Sequence, residues 1–184
     1  MTAGIGHNSG RVAEPGQSWR RHVWRKARAD LLPKLPVEVI RLRVRRSAEL
    51  GLPYKTYAGV RAATGHDLVG FLFSSNALQV LRAGQTLPED RRAHLAALHQ
   101  TDRVGLLHSG IRTIPELDAS YAAPAPHLPW STMRDHLRAI AARHGQPADR
   151  YLLIGDTMDE RDWAEAMRTA GYLPAQSYFA ANHP

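Results

Sequence analysis

The chain has 184 residues, of which 43% are apolar, and a formal net charge of +7. It contains no cysteine, which excludes disulfides, thiolate nucleophiles and thiolate metal ligands. We expect a globular, cytoplasmic protein without a membrane span, because the apolar runs are short and the first residues lack the basic and apolar regions of a secretory signal.

The positive charge is concentrated in one segment. Between Arg20 and Arg46 there are ten basic residues and two acidic ones, so this segment carries +8 and the rest of the chain −1. Such localised charge is typical of surfaces that bind a polyanion. The two tryptophans in WRRHVWRKAR would add stacking against bases. A solvated helix face, an anionic membrane surface and tryptophans that anchor a helix to the core remain alternatives.

The first third of the chain predicts a disordered tail followed by helices. Residues 1–18 are poor in apolar side chains, and their segment GIGHNSG resembles a short tag that recurs in uncharacterised bacterial and phage proteins. Apolar residues spaced by four predict a helix over residues 19–32. A second helix is predicted from Val37, and a third from Tyr54 to Ala63 that ends at Gly65. Residues 19–66 are therefore predicted to form a small basic helical module.

Residues 43–63 resemble a DNA-binding helix-turn-helix. Ser47 and Gly51 have the four-residue spacing of its turn, and Tyr57 and Val60 lie where the second helix should be buried. The resemblance implies nucleic acid as the partner and a homodimer as the acting form, since such readers usually work in pairs. The residues predicted to contact nucleic acid are Arg20, Arg21, Arg25, Lys26, Arg41, Arg43, Arg45, Arg46, Tyr54, Lys55, Thr56 and Arg61.

From residue 67 to the carboxyl terminus the pattern changes to that of an α/β domain. The short apolar runs LVGFLF (68–73), RVGLL (103–107) and RYLLIG (150–155) predict buried parallel strands, and they alternate with predicted helices over 88–99, 131–144 and 159–170. We therefore expect a Rossmann-like parallel sheet with covering helices. Polar residues that follow the strands are predicted to line a ligand crevice: Ser74, Ser75, Asn76, His108, Ser109, Asp156 and Thr157.

Residues 121–174 resemble the last motifs of the haloacid dehalogenase-like superfamily. The motifs are the loop AAPAPHLP, a helix, the apolar strand, the turn Gly155-Asp156-Thr157 and a helix that ends in Ala170-Gly171. Members of this family are mostly Mg-dependent phosphatases with a Rossmann-like sheet. The resemblance implies that Asp156 would hold the metal, with support from Asp159, Glu160 or Asp162.

The catalytic start of that family, an Asp-x-Asp motif, is not matched. Asp67 is the nearest candidate for the nucleophile, but Val69 replaces the second aspartate and no apolar strand precedes it. If LVGFLFSSN is instead a strand that ends in a phosphate-binding serine, Ser74 or Ser75 takes that role and no nucleophile remains. The alternative for Asp156 and Thr157 is a helix cap.

The leading hypothesis from the sequence is a nucleic-acid-binding protein that is regulatory or associated with a mobile element, with no cofactor. One alternative is a dehalogenase-like phosphohydrolase that uses Mg, or an inactive relative that binds a phosphorylated small molecule. The other is an adaptor whose cationic face binds an acidic protein partner. No spacing of histidines predicts a zinc site.

Overall fold

A computed structural model of the chain describes residues 35–180. The structure divides into two units after Val39, and every contact given below lies in the second unit, which begins at Ile40. The sequence-based expectations for the tail, the helix over residues 19–32 and the basic residues Arg20, Arg21, Arg25 and Lys26 lie outside the described residues.

Helices and parallel strands alternate through most of the described chain. The helices are α1 (Val37–Glu49), α2 (Tyr54–Thr64), α3 (Glu89–Ala96), α4 (Trp130–His144), α5 (Met158–Met167) and α6 (Ala175–Ala180), with a 3-10 turn at Ala148–Arg150 before the fourth strand. The strands are β1 (Gly70–Ser74), β2 (Asp102–Leu107), β3 (Ala119–Ala122), β4 (Tyr151–Gly155) and β5 (Gly171–Pro174).

All neighbouring strands pair in parallel, in the order β3-β2-β1-β4-β5. The predicted α/β class with a Rossmann-like sheet is thus confirmed. The order runs outward from β1 in one direction through β2 and β3, and in the other through β4 and β5. This reversal creates a switch point beside β1, where the loops that leave adjacent strands diverge and can open a crevice.

Each face of the sheet has its own hydrophobic core. Phe71 and Phe73 of β1 point to a core that includes Tyr57 of α2, Leu95 of α3 and Tyr178 of α6. The intervening residues of the strands point to the other face, where Leu137 and Ile140 of α4 pack with Trp163 and Met167 of α5. This alternation follows from the two-residue period of a strand. Each fully buried Phe contributes about 2–3 kcal/mol through burial of its apolar surface.

Helix α2 and the turn before it share the first of these cores. Leu50 and Tyr57 are at most 1% exposed and belong to the same cluster as the Phe side chains of β1. Gly65 adopts a left-handed conformation, with φ of 82°, and ends α2 as its position in the sequence predicts. Within residues 35–180 no helix is long and apolar enough to cross a bilayer.

The two edge strands were not predicted from the sequence. β3 (Ala119–Ala122) and β5 (Gly171–Pro174) have four residues each, and their side chains are half-buried or exposed. The interior strand β4 is buried along its whole length, which gave it a continuous apolar pattern. A short, partly exposed edge strand gives no such pattern.

Candidate functional site

Polar side chains from three strands meet at the carboxyl-terminal edge of the sheet. Ser75 and Asn76 follow β1, His108 follows β2, and Thr157 follows β4 and begins α5. The strands β2, β1 and β4 are neighbours in the sheet. The structure therefore brings together residues that are up to 82 positions apart in the chain, at the switch point described above.

Glu160 lies at the centre of this group and is completely buried. Its Oε2 accepts hydrogen bonds from the backbone N–H groups of Asp156 and Thr157, the latter at 3.0 Å. Its Oε1 accepts a bond of 3.0 Å from the Asn76 side-chain amide. Three donors thus compensate the carboxylate for its lost hydration.

The same glutamate forms a capping box at the start of α5. Thr157 Oγ1 accepts a bond of 3.3 Å from the backbone N–H of Glu160, while the Glu160 carboxylate returns to the Thr157 N–H. A cap by Asp156 and Thr157 was the alternative left open in the sequence. The structure assigns the cap to Thr157 with Glu160, whereas Asp156 is exposed.

Gly155 makes this close arrangement possible. A Cβ atom on Gly155 would lie 2.7 Å from the Tyr172 ring and 2.9 Å from the Cβ of Glu160. Real Cβ atoms do not approach other atoms so closely, so a side chain here would push Glu160 or Tyr172 away from the end of β4. The glycine therefore allows the buried carboxylate to reach the strand end.

His108 is held from one side by Ser75 and faces Glu160 on the other. Ser75 Oγ accepts a bond of 3.2 Å from the His108 backbone N–H and lies 2.6 Å from His108 Nδ1. When its hydroxyl hydrogen points to Nδ1, Nε2 carries a hydrogen and is a donor toward the cleft. Nε2 lies 4.0 Å from Glu160 Oε1, and the ring packs 5.5 Å from that of Trp163.

A cleft of about 380 Å³ opens beside this network. Its polar wall contains Asn76, His108 and Thr157, and Asp159 and Asp162 lie on the exposed side of α5. The opposite wall is formed by the loop that precedes α4 and by the start of α4. Trp163 of α5 also lines the cleft. The residues of the opposite wall are Pro124, Ala125, Pro126, His127, Leu128, Trp130 and Met133. The volume lies in the range of small-molecule sites in proteins.

The predicted crevice residues divide into two groups. Asn76, His108 and Thr157 line the cleft, and Ser75 supports His108 from behind it. Ser74 is fully buried, and its Oγ accepts a bond from the Ala77 backbone N–H in the turn after β1. Asp156 and Ser109 are exposed but are not among the residues that line the cleft.

Asp67, the sequence candidate for a nucleophile, lies on the opposite edge of the sheet. It precedes β1, and its Oδ1 accepts a hydrogen bond of 2.8 Å from the Tyr57 hydroxyl. Arg46 and Arg61 each place a guanidinium nitrogen 3.6 Å from its carboxylate. Asp67 therefore holds helices α1 and α2 near the start of β1 and cannot attack a molecule bound at the switch point.

The dehalogenase resemblance assigns Mg to Asp156, with support from Asp159, Glu160 or Asp162. Within residues 35–180 no group of three or more His, Asp or Glu side chains is arranged to hold a metal ion. Glu160, the buried carboxylate next to Asp156, is already bonded to two backbone amides and to Asn76. No chemical step through a metal is derived for this site.

The residues predicted to contact nucleic acid also divide. Arg41, Arg45 and Lys55 are exposed, and Arg43, Tyr54 and Thr56 are half-buried. Arg46 and Arg61 turn toward Asp67, and Arg46 also donates to the backbone carbonyls of Leu68 and Gln100.

Comparison of the chain with models of known families, with curated proteins and with solved structures found no match.

Proposed function

We propose that the α/β domain is a binding module that holds a small polar molecule in the cleft beside His108 without hydrolysing it. The observation that carries this proposal is the convergence of Asn76, His108 and Thr157 beside an open cleft at the switch point of the sheet. Ligands of parallel α/β folds bind in this place because the loops diverge there.

The side chains of the cleft suit binding better than catalysis. Ser75 is next to an imidazole, but it is completely buried and both of its hydrogen-bonding functions are used by His108. Asp67 lies on the other edge of the sheet. A hydrolase needs an accessible nucleophile or an activated water, and the residues around this cleft offer no supported nucleophile.

The cleft offers a mixed set of contacts to a ligand. The Nε2–H of His108 can donate a hydrogen bond, the exposed carboxylates of Asp159 and Asp162 can accept, and Trp130 and Met133 provide an apolar wall. A phosphate group would find the amides at the start of α5 already bonded to Glu160. We therefore favour a polar molecule that does not rely on a phosphate for its affinity.

The test is a titration followed by two-dimensional NMR of the ¹⁵N-labelled protein. Small metabolites that carry a phosphate, a carboxylate or an amine are added with and without Mg²⁺. We expect saturable shifts of amide signals around Asn76, His108 and Trp163 with at least one compound. His108→Ala should abolish them, whereas His136→Gln, which changes a histidine outside the cleft, should not. Absence of such shifts, or release of phosphate during the titration, would overturn the proposal.

A second candidate function is binding of nucleic acid by the exposed cations of α1 and α2. The observation that favours it is the exposure of Arg41, Arg45 and Lys55 on two consecutive helices. Phosphate contacts make affinity fall with salt, with a slope of about −0.9 per neutralised phosphate in duplex DNA.

The test compares the full chain with the triple variant Arg41→Ala, Arg45→Ala, Lys55→Ala across a salt series, using random duplex DNA and single-stranded RNA. Arg46 and Arg61 stay unchanged because they pair with Asp67. We expect weaker binding and a shallower salt slope in the variant. The control variant is Arg138→Ala, an exposed arginine of α4. Equal binding by the parent and the triple variant would remove this candidate.

A further inference from the structure

A second cavity lies beside the first core, away from the cleft at the switch point. It has a volume of about 540 Å³ and lies between the end of α1, helix α3 and helix α6. Its lining residues are Ala48, Gly51, Asp90, Arg91, Ala93, His94, Ala97, Leu98 and Phe179. None of them belongs to the cleft around His108.

Arg91 is the unusual residue of this cavity. Its side chain is only 12% exposed, and its guanidinium carbon lies 3.8 Å from the centre of the Phe179 ring. Its Nε is buried and has no hydrogen-bond partner. The carboxylate of Asp90 lies 3.6 Å from Nη1, which is longer than a hydrogen bond, and its side chain is 56% exposed. The buried Nε of a mostly buried arginine is thus left without an acceptor.

Such an arrangement is costly unless an acceptor is supplied. Burial removes the hydration of Nε, and the aromatic face of Phe179 replaces only part of it. An anion in the cavity would supply the missing acceptor for Nε, and a carboxylate matches the planar fork of an arginine.

The other residues of the cavity limit the charge of the ligand's anionic group and favour an apolar remainder of the ligand. The carboxylate of Asp90 also lines the cavity and repels a doubly charged phosphate more strongly than a singly charged carboxylate. Ala48, Ala97 and Leu98 offer apolar contacts, and the small alanine side chains leave room for a ring or an alkyl chain. The matching ligand has one carboxylate and an apolar body.

We propose that this cavity binds a small aromatic or aliphatic monocarboxylate, with its carboxylate on Arg91 and its body between α1, α3 and α6. The site is separate from the one proposed at the switch point, so each stands or falls without the other.

The probes are sodium benzoate and sodium octanoate, with neutral benzamide as the matched control. They are titrated into the full ¹⁵N-labelled chain at pH 7. We expect shifts of amide signals in α3 and α6 rather than around His108, and benzoate should bind at least about tenfold more tightly than benzamide, since a hydrogen bond to a charged group is stronger than a neutral one. Equal affinities for benzoate and benzamide, or no shifts in α3 and α6, would overturn the proposal.

Two variants test the roles of charge and space. Arg91→Gln should remove the preference for benzoate, whereas Arg138→Gln on α4 should keep it. Ala93→Leu keeps Arg91 and places a larger side chain in the cavity, at an exposed helical position that tolerates leucine. It should weaken benzoate binding about tenfold or more while circular dichroism shows a folded chain, so the proposal stays testable even if Arg91→Gln does not fold. Unchanged benzoate binding in both folded variants would contradict the assignment.

Discussion

Glu160 determines the geometry of the cleft wall at the level of single residues. It is the point where the ends of β1 and β4 and the start of α5 are joined, because its two oxygens accept from Asn76, Asp156 and Thr157. The side chain fills the place that an external anion would take at a helix amino terminus. The protein has in this sense an internal anion at its switch point.

Replacement of Glu160 by Ala should lower the free energy of unfolding by about 2–4 kcal/mol. The reason is that two backbone N–H groups and the Asn76 amide would lose their acceptor inside the protein. The measurement is urea denaturation at neutral pH. Glu165→Ala, which changes an exposed residue of the same helix, should alter the free energy by less than about 0.5 kcal/mol. Similar losses in the two variants would contradict the central role of Glu160.

His94 should make stability depend on pH. It is 9% exposed and packs against Tyr178 and Phe179, and burial lowers its pKa from 6.5 to about 4, with a smaller contribution from Arg91. Below pH 6.5 the unfolded chain binds a proton at His94 that the folded chain does not bind. Stability is therefore full above about pH 6.5 and falls as the pH drops toward 4, by about 3 kcal/mol in total.

Urea denaturation at pH 7.5, 6.0 and 4.5 measures this effect. We expect the loss between pH 7.5 and pH 4.5 to be smaller by about 2 kcal/mol in His94→Phe than in the parent chain. His99→Gln changes an exposed histidine and should behave like the parent. A parallel pH dependence in the parent and in His94→Phe would refute the assignment.

At the level of elements, Arg46 fastens α1 to the rest of the domain. Its guanidinium bonds at 3.1 Å to the carbonyls of Leu68 and Gln100, which precede β1 and β2, and to Glu49 on its own helix. It also pairs with Asp67. The last turn of α1 is thereby attached to the two loops that lead into adjacent strands.

Arg46 and Arg45 form a matched pair for a test of this attachment. Arg46→Gln should destabilise the protein by about 2 kcal/mol, since several carbonyls lose a charged donor, while exposed Arg45→Gln should be nearly neutral. Thermal and urea denaturation provide the measurement. In the nucleic-acid binding test proposed above, Arg45→Gln should weaken binding more than Arg46→Gln, because Arg45 is exposed. Equal destabilisation by both substitutions would contradict a structural role specific to Arg46.

The sequence predicts a helix or strand well when the burial of that element determines its pattern of apolar residues. The runs at 68–73, 103–107 and 150–155 contain most of β1, β2 and β4, because interior strands of a parallel sheet are apolar throughout. The edge strands Ala119–Ala122 and Gly171–Pro174 were not predicted. Their side chains are half-buried or exposed and form no apolar run, so these strands are recognised only by their pairing with a neighbouring strand. Arg46 was predicted to contact nucleic acid because a local charge pattern does not show partners that are distant in the sequence, here Leu68 and Gln100.

The candidate site was predicted in part by the same logic. Asn76, His108 and Thr157 follow interior strands, so their convergence could be expected from a parallel sheet. Glu160 was named only as a support for Asp156, yet its spacing of three from Thr157 is the capping-box signal that would have found it. Trp163 gives no such signal, because its approach to His108 depends on how α5 packs on the sheet.

At the scale of the whole molecule, the sheet places the candidate site on its most protected strands. β1, β2 and β4 are interior, and the polar residues at the cleft follow directly from their ends. The two cores cover both faces of these strands. A wall built on such strands is held in place before any ligand arrives, which lowers the entropy lost on binding.

Hydrogen–deuterium exchange should reveal this gradient from the centre of the sheet to its edges. Backbone amides of β1 and β4 should exchange most slowly, because opening them requires both cores to separate, whereas β3 and β5 can detach from one neighbour alone. We expect the free energy of opening at the amides of β1 and β4 to approach the global free energy of unfolding. Amides of the edge strands should exchange at least several-fold faster. Mass spectrometry of peptic fragments after exchange at neutral pH provides the measurement.

The loop that carries Ser75 and Asn76 should stay more protected than the exposed loop before α4, since Glu160 and His108 bond to the former. Edge strands as protected as β1 would show that the site does not rest on a rigid centre.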